Sequence, residues 1–310
     1  MNNFLSKALF LCVLLIAMLH EDASAQRPAG RSTGTADLQI LKKIKSFDFF
    51  VNDEFLAPPL KKLYRRDAVR IALRLIDKEQ RIAQQSVDVP EDLRKAIYNA
   101  LVAVRLSELP QIDTIAVKYN IRTFQNPETD FITLIFEHDA EWAKPIKQFR
   151  SDTTANPNIN ALMRRYSLNI TKLANLDDER AGLVLKAKEP INMAALARLF
   201  FLEQGIGSIE QMQTFGDGND ITMDLDAEGW IITYSVKFGD CLTTCKKKYE
   251  WKFRVSMGGK VTFLKGGGDV IPPWVGATDK KRIEIRDELK DKSGAPKDAA
   301  KDAAIRKAEN

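Results

Sequence analysis

Histidine is almost missing from this 310-residue chain, which has two, His20 and His138. Zinc sites and serine–histidine–aspartate triads draw on imidazoles, so neither has an obvious set of residues here. Cysteine is nearly as scarce, at three, too few for a disulfide-rich scaffold. Aromatic residues make up 8%. Apart from Tyr64 they are not interleaved with the basic stretch at Lys61–Arg81, so base stacking on nucleic acid is not signalled. Gly266-Gly267-Gly268 lacks the lysine and hydroxyl that follow in a phosphate-binding loop. After residue 25 no apolar run approaches the roughly 20 residues of a membrane-spanning helix. There is no internal repeat at solenoid or propeller periods.

What is present begins with a three-part leader. Met1 to Lys7 is polar and carries Lys7, and Ala8 to Leu19 is continuously apolar. His20, Glu21 and Asp22 break that run, and Ala23-Ser24-Ala25 places small side chains at the −3 and −1 positions of a cleavage site. This order predicts a secretory signal peptide over 1–25 and a mature start at Gln26. Cys12 follows Leu11 inside the apolar run, which is the wrong place for a lipoprotein signal. Losing Lys7, Glu21 and Asp22 raises the formal charge from +5 to +6, too modest an excess to imply a nucleic-acid partner.

Residues 26–36 read as a polar, flexible lead-in. The region 37–112 is helical in character. Ala68, Ile71, Ala72 and Leu75 recur at helical spacing, as do Leu93, Ile97, Ala100, Leu101 and Val104 behind Pro90. From 113 the pattern changes. Ile115, Val117, Tyr119 and Ile121 alternate with polar residues and predict a strand, and Phe131–Phe136 predicts a more buried one. Asn156-Pro157 reads as a helix cap with proline at the first position. Ile159, Leu162, Met163 and Tyr166 then share a face. Leu168–Leu173 and Leu183–Ala187 read as strands, Asn192 as the cap of a further helix, and Ile209–Thr214 as a strand. Residues 113–216 are therefore expected to form a split βαβ sandwich of the ferredoxin-like kind. Residues 217–277 predict two hairpins, turned at Ala227-Glu228-Gly229 and Gly258-Gly259. The last stretch, 278–310, holds ten basic and eight acidic side chains and no aromatic. It cannot bury enough apolar surface to order itself and is expected to be a mobile tail.

Four groups of residues bear on chemistry. Cys241 and Cys245 are the two cysteines left after cleavage, four apart, and in an exported protein they most simply form a disulfide. Free thiols or a metal site remain open, although zinc wants four ligands and no histidine is near. A thioredoxin-type pair has two intervening residues, not three. His138 sits among Glu137, Asp139 and Glu141, so it reads either as a general base with a nearby carboxylate or as a surface histidine in an acidic turn. Asp217, Asn219, Asp220, Asp224 and Asp226 gather around one hairpin. They supply oxygen ligands for calcium, or ordinary turn chemistry, and their spacing is not that of an EF-hand. Lys61–Arg81 carries eight basic residues against three acidic ones, which reads as a solvated helix face or a docking face for an anionic surface.

Two resemblances follow from particular residues. Val89-Pro90-Glu91-Asp92-Leu93, Tyr98 to Val104, Gly239-Asp240-Cys241 and Trp251-Lys252-Phe253-Arg254-Val255 together resemble a family of exported bacterial proteins that has no assigned activity. Members carry a Gly-Asp-Cys segment, a second cysteine nearby and a Trp-x-Phe-x-Val strand. Where they usually have glycine before the second cysteine, this chain has Thr244. Residues 156–214 are similar in pattern to the propeptide domains of subtilisin-like proteases. The shared features are Asn156-Pro157, Ile159, Leu162, Tyr166, Asn192 before Ala195-Leu196-Ala197, and Gly205-Ile206 leading into a strand. No protease motif follows.

The expectation from the sequence is thus an α+β protein: a helical N-terminal part, a split βαβ antiparallel sandwich and C-terminal β-hairpins. Its expected role is a non-enzymatic, exported module of the periplasm or cell envelope that binds another exported protein. No catalytic residue, cofactor or metal ligand is assigned. The alternatives are a propeptide-type protease inhibitor and a hydrolase whose carboxylates meet only in the fold.

Overall fold

The computed structural model describes residues 38–276 except positions 46, 48, 80, 81, 126 and 214 and the side chain at 149. The expected leader, lead-in and charged tail lie outside the described residues. Within them, helices and two antiparallel four-stranded sheets are built around two hydrophobic cores.

The first core joins the two ends of the described chain. It takes in a short helix α1 (Gln39–Ile44), α2 (Pro58–Lys78) and α3 (Glu91–Leu106). Proline in the first turn of α2 gives up a backbone donor that a helix start would leave unpaired anyway. Glu91 and Asp92 open α3 and Arg105 closes it, so its charges oppose the helix dipole. The predicted stripes are the buried ones: Ala68, Ile71, Ala72 and Leu75 on α2, and Leu93, Ile97, Ala100, Leu101 and Val104 on α3. They pack against one face of the C-terminal sheet through Ile221, Met223, Trp230, Ile232, Tyr234, Trp251, Phe253 and Val255.

The expected strand at 115–121 is not formed. Asp113–Lys118 is a π-helical turn, and Asn120 leaves it with φ at 43°. The reason lies in Ile115 and Tyr119, which are four apart and so fit helical as well as alternating spacing, with Ile112 one helical turn before them. Ile112 and Ile115 are buried in the first core and Tyr119 packs on Trp251 with ring centroids 5.9 Å apart, whereas Val117 stays exposed. The alternation fitted both periods, and the coil satisfies the backbone locally.

The second core belongs to the middle of the chain. Its strands are β1 (Phe131–Glu137), β2 (Leu168–Asn175), β3 (Arg180–Ala187) and β4 (Ser208–Gln211), ordered β2-β3-β1-β4 and all antiparallel. After β1 comes a short helix, α4 (Lys144–Phe149). Helix α5 (Pro157–Arg165) then carries the chain to β2, and α6 (Met193–Phe200) carries it from β3 to β4. Asn156 caps α5, its side-chain oxygen accepting from the N–H groups of Asn158 at 2.8 Å and Ile159 at 3.2 Å. Asn192 caps α6 through the N–H of Ala195 at 3.1 Å. Ile159 and Met163 of α5 and Met193, Leu196 and Phe200 of α6 enter the same core as Ile132, Leu134, Phe136, Leu183 and Leu185. Both helices therefore lie on one face of this sheet.

The C-terminal sheet runs in chain order: β5 (Asp220–Leu225), β6 (Gly229–Phe238), β7 (Lys247–Ser256) and β8 (Val261–Gly268). The β5–β6 turn needs Gly229. Its φ is 149°, and a Cβ there would lie 2.2 Å from the Val255 carbonyl oxygen. The β6–β7 connection, 239–246, carries the two cysteines, whose sulfurs are 2.09 Å apart.

Helix α2 ties the two cores together. Asp67, Arg70, Arg74 and Lys78 recur every three or four residues and line one flank. Asp67 bonds Arg122 at 3.1 Å and the Thr123 hydroxyl at 2.6 Å. Arg70 grips Asp130 at 2.9 Å, at the entry to β1. Arg74 reaches both carboxylate oxygens of Asp220, at 2.9 and 3.0 Å. Lys78 pairs with Asp224 at 2.6 Å.

Candidate protein-binding face

With both helices of the second core on one side, the other side of the β2-β3-β1-β4 sheet carries none of that packing. Side chains alternate across a strand, so the residues on that side follow from register. From β1 they are Phe131, Thr133, Ile135 and Glu137. Opposite them on β3 stand Lys186, Val184, Gly182 and Arg180. Thr133 and Ile135 also face Glu210 and Ser208 of β4, while Val184 and Gly182 face Lys172 and Ala174 of β2. Only Ile135 and Gly182 of these β1 and β3 positions are buried; the others are half-buried or exposed.

The centre of the face is mildly apolar and its border is charged. Leu176 reaches over Gly182, where a Cβ would meet its methyl carbons at 3.5 and 3.6 Å, an ordinary contact, and the Thr133 methyl more tightly at 3.2 Å. Leu176 is itself 49% exposed. The Lys186 ammonium stands 5.0 Å from the centre of the Phe131 ring, a cation–π distance. Lys172, Lys186, Arg180, Glu137 and Glu210 surround Thr133, Val184 and Leu176 with charges of both signs. That mixture is what a non-obligate protein interface presents.

At one end the face falls into a cavity of about 690 Å³ lined by Glu137, His138, Asp139, Glu179, Arg180 and Ser208 among others. Here the histidine can be read directly. Its Nε2 lies 3.1 Å from the Asp177 carbonyl oxygen, which can only accept, so Nε2 donates. Its Nδ1 lies 3.3 Å from the Lys147 ammonium, which can only donate, so Nδ1 accepts. Lys147 also donates to the His138 carbonyl. Both ring nitrogens are engaged, and among the described residues no hydroxyl or thiol bonds either one. His138 therefore braces the β1 end against the 177–179 turn. Asp177 anchors the same turn. Arg180 beside it, together with the N–H groups of Glu179 and Arg180, holds its carboxyl below the usual range.

The acidic residues around the first hairpin are dispersed. Asp220 is taken by Arg74 and by the N–H of Phe124 at 2.7 Å, Asp224 by Lys78, and Asp226 by Arg254 and the turn N–H groups of Glu228 and Gly229. Asn219 accepts from the N–H of Lys237. Asp217 receives Lys237 at 2.6 Å and the N–H groups of Gly218 and Cys245. Burial raises the Asp217 pKa, but Lys237 and those two donors outweigh it, and the carboxyl sits below its ordinary value. No group of three or more potential ligands is close enough to hold a metal among the described residues.

The basic stretch on α2 is not a free cationic surface. Lys61 pairs with Asp53, Lys62 and Arg66 with Glu189, and Arg70, Arg74 and Lys78 with the acids named above. Gly266-Gly267-Gly268 ends β8, where it pairs with Tyr249, Glu250 and Trp251 instead of cradling a phosphate. Thr133, Val184 and Leu176 leave no mark in the sequence, because a half-exposed residue on a strand or beside a turn carries no chemical signature. No protein-family model matches this chain, and neither a curated protein nor a solved structure matches it.

Proposed function

We propose that the chain is an exported, non-enzymatic module of the periplasm or cell envelope. In this reading the segment 131–211 is a split βαβ sandwich of the ferredoxin-like kind, and its helix-free sheet face docks another exported protein. The observation that carries the proposal is that face: a central patch of Thr133, Val184 and Leu176 within a ring of mixed charge. The strand order and the two crossing helices support the sandwich. A cysteine pair at disulfide distance and the absence, among the described residues, of any helix long and apolar enough to cross a membrane accord with export.

The inhibitor alternative needs 215–219 to thread through a protease cleft. That segment is tethered instead. The N–H of Asp217 bonds the Cys241 carbonyl at 3.0 Å, and its carboxylate is held by Lys237 and Cys245. The hydrolase alternative rests on Glu137, Asp139 and Glu179, and the histidine between them is already committed to its two partners.

The test is capture from native envelope extract by the mature protein and by a Thr133→Arg/Val184→Glu variant. The two new charges face each other, and they also face Glu210 and Lys172 respectively, so the variant should keep its melting temperature. A protein captured by the wild type and lost from the variant supports the proposal. Equal capture by both, or no capture, contradicts it.

A further inference from the structure

A second surface lies at the end of the C-terminal sheet, away from the face described above. Three large apolar side chains project there from three separate connections. Phe215 is 84% exposed, Leu242 85% and Val270 90%. Their neighbourhood follows from the backbone. Phe238 pairs with Lys247 at the end of the β6–β7 ladder, so 239–246 caps that end. The Asp217 N–H bonds the Cys241 carbonyl, and Gly216, with φ at 80°, lets the chain pass so close that a Cβ would lie 3.1 Å from that same oxygen. Asp269, just before Val270, bonds the backbone of Lys248 in both directions, at 2.8 and 3.0 Å.

These connections are braced. Cys241 and Cys245 are at bonding distance, and Asp217 stitches the 215–219 segment to Cys245 and Lys237. A braced loop that holds its apolar tips in water loses little further freedom when they are buried. Lys246, Lys247 and Lys248 follow the cysteine loop at this same end of the sheet. Lys246 stands 3.8 Å from Asp240 with both side chains well exposed, Lys248 forms a surface pair with Glu250, and Asp217 turns inward onto Lys237. Glu250 is only 23% exposed, so the outward-facing charges are three lysines against Asp240 and Asp269, an excess of one positive charge.

We propose that this end of the molecule docks on an anionic lipid surface, inserting Phe215, Leu242 and Val270 at the headgroup boundary with the three lysines against lipid phosphates. Isolated projecting tips suit a fluid apolar layer, which needs no preformed pocket to receive them, and flanking lysines suit its negative potential.

Sedimentation of the full mature chain with vesicles tests this, using phosphatidylglycerol–phosphatidylcholine mixtures against phosphatidylcholine alone. Binding should favour the anionic vesicles and weaken at high salt. Leu242→Ser should weaken it at least ten-fold, the scale expected for one buried leucine. Lys246→Gln and Lys247→Gln should each weaken it about five-fold. Melting temperatures should be unchanged, because all three side chains are exposed. Three outcomes overturn the proposal: no sedimentation with anionic vesicles, sedimentation that Leu242→Ser leaves intact, or Leu242-dependent capture of a protein without vesicle binding.

Discussion

The Arg70–Asp130 pair offers the sharpest test of how the two cores are joined. Arg70 rises from α2 in the first core and meets Asp130 at the doorstep of β1 in the second, 2.9 Å away, with residue exposures of 5% and 7%. The Arg70 Nε is buried with no hydrogen-bond partner among the described residues, so the guanidinium is only partly compensated. Breaking such a pair from one side leaves a buried charge unpaired and costs about 3–5 kcal/mol. Replacing both partners with apolar groups of similar size is often close to neutral. Asp130→Asn should therefore lower stability by about 3–5 kcal/mol, which for a folded unit of this size is about 6–20 °C in Tm. The double variant Arg70→Met/Asp130→Leu should recover most of that loss. Urea unfolding followed by circular dichroism measures both, and the double-mutant cycle isolates the pair. Amide exchange adds the location: in Asp130→Asn, β1 and β3 should lose protection before β6 and β7. A loss under about 1 kcal/mol for Asp130→Asn would refute the reasoning, because it would mean water screens the pair.

Three further outcomes are expected. Thiol labelling of unreduced, denatured mature protein should find Cys241 and Cys245 closed, and Cys241→Ser/Cys245→Ser should lose about 2 kcal/mol, the small gain of a short loop. Asp217→Asn should destabilise by about 1–2 kcal/mol at neutral pH. Because the folded Asp217 pKa is depressed, its contribution is complete above the ordinary carboxylate pKa of about 4 and fades as pH falls through the lower folded value, so the gap between wild type and variant should shrink as acid titration passes below that ordinary value. Removal of 278–310 should leave the melting temperature within a few degrees, since that stretch has little apolar surface to bury; a drop of roughly 10 °C would mean it docks.

The helices were legible where spacing and caps agreed. Asn156-Pro157 and Asn192 open helices α5 and α6, and Ala68 to Leu75 forms the buried stripe of α2. The hairpins were legible through alternation, with Gly229 and Gly259 at their turns. Residues 113–121 misled because Ile115 and Tyr119, four apart, satisfy two periods at once. Longer-range relations left no local trace. Nothing in the order of the chain says that α2 and α3 share a core with β5 to β8, more than a hundred residues later. The excess of base on α2 looked like a surface property until Asp130, Asp220 and Asp224 arrived from other segments to meet it. The candidate face depends on which side of a sheet two helices choose, a fact of topology that Thr133 and Val184 cannot signal on their own.

Hydroxyl-radical footprinting of the mature protein, alone and with the partner it captures, tests the central claim most directly. The account predicts that Phe131, Leu176 and Val184 lose reactivity in the complex while Phe50 and Phe55, exposed in the stretch before α2, keep theirs. Unchanged reactivity at Phe131, Leu176 and Val184 alongside protection elsewhere would contradict it.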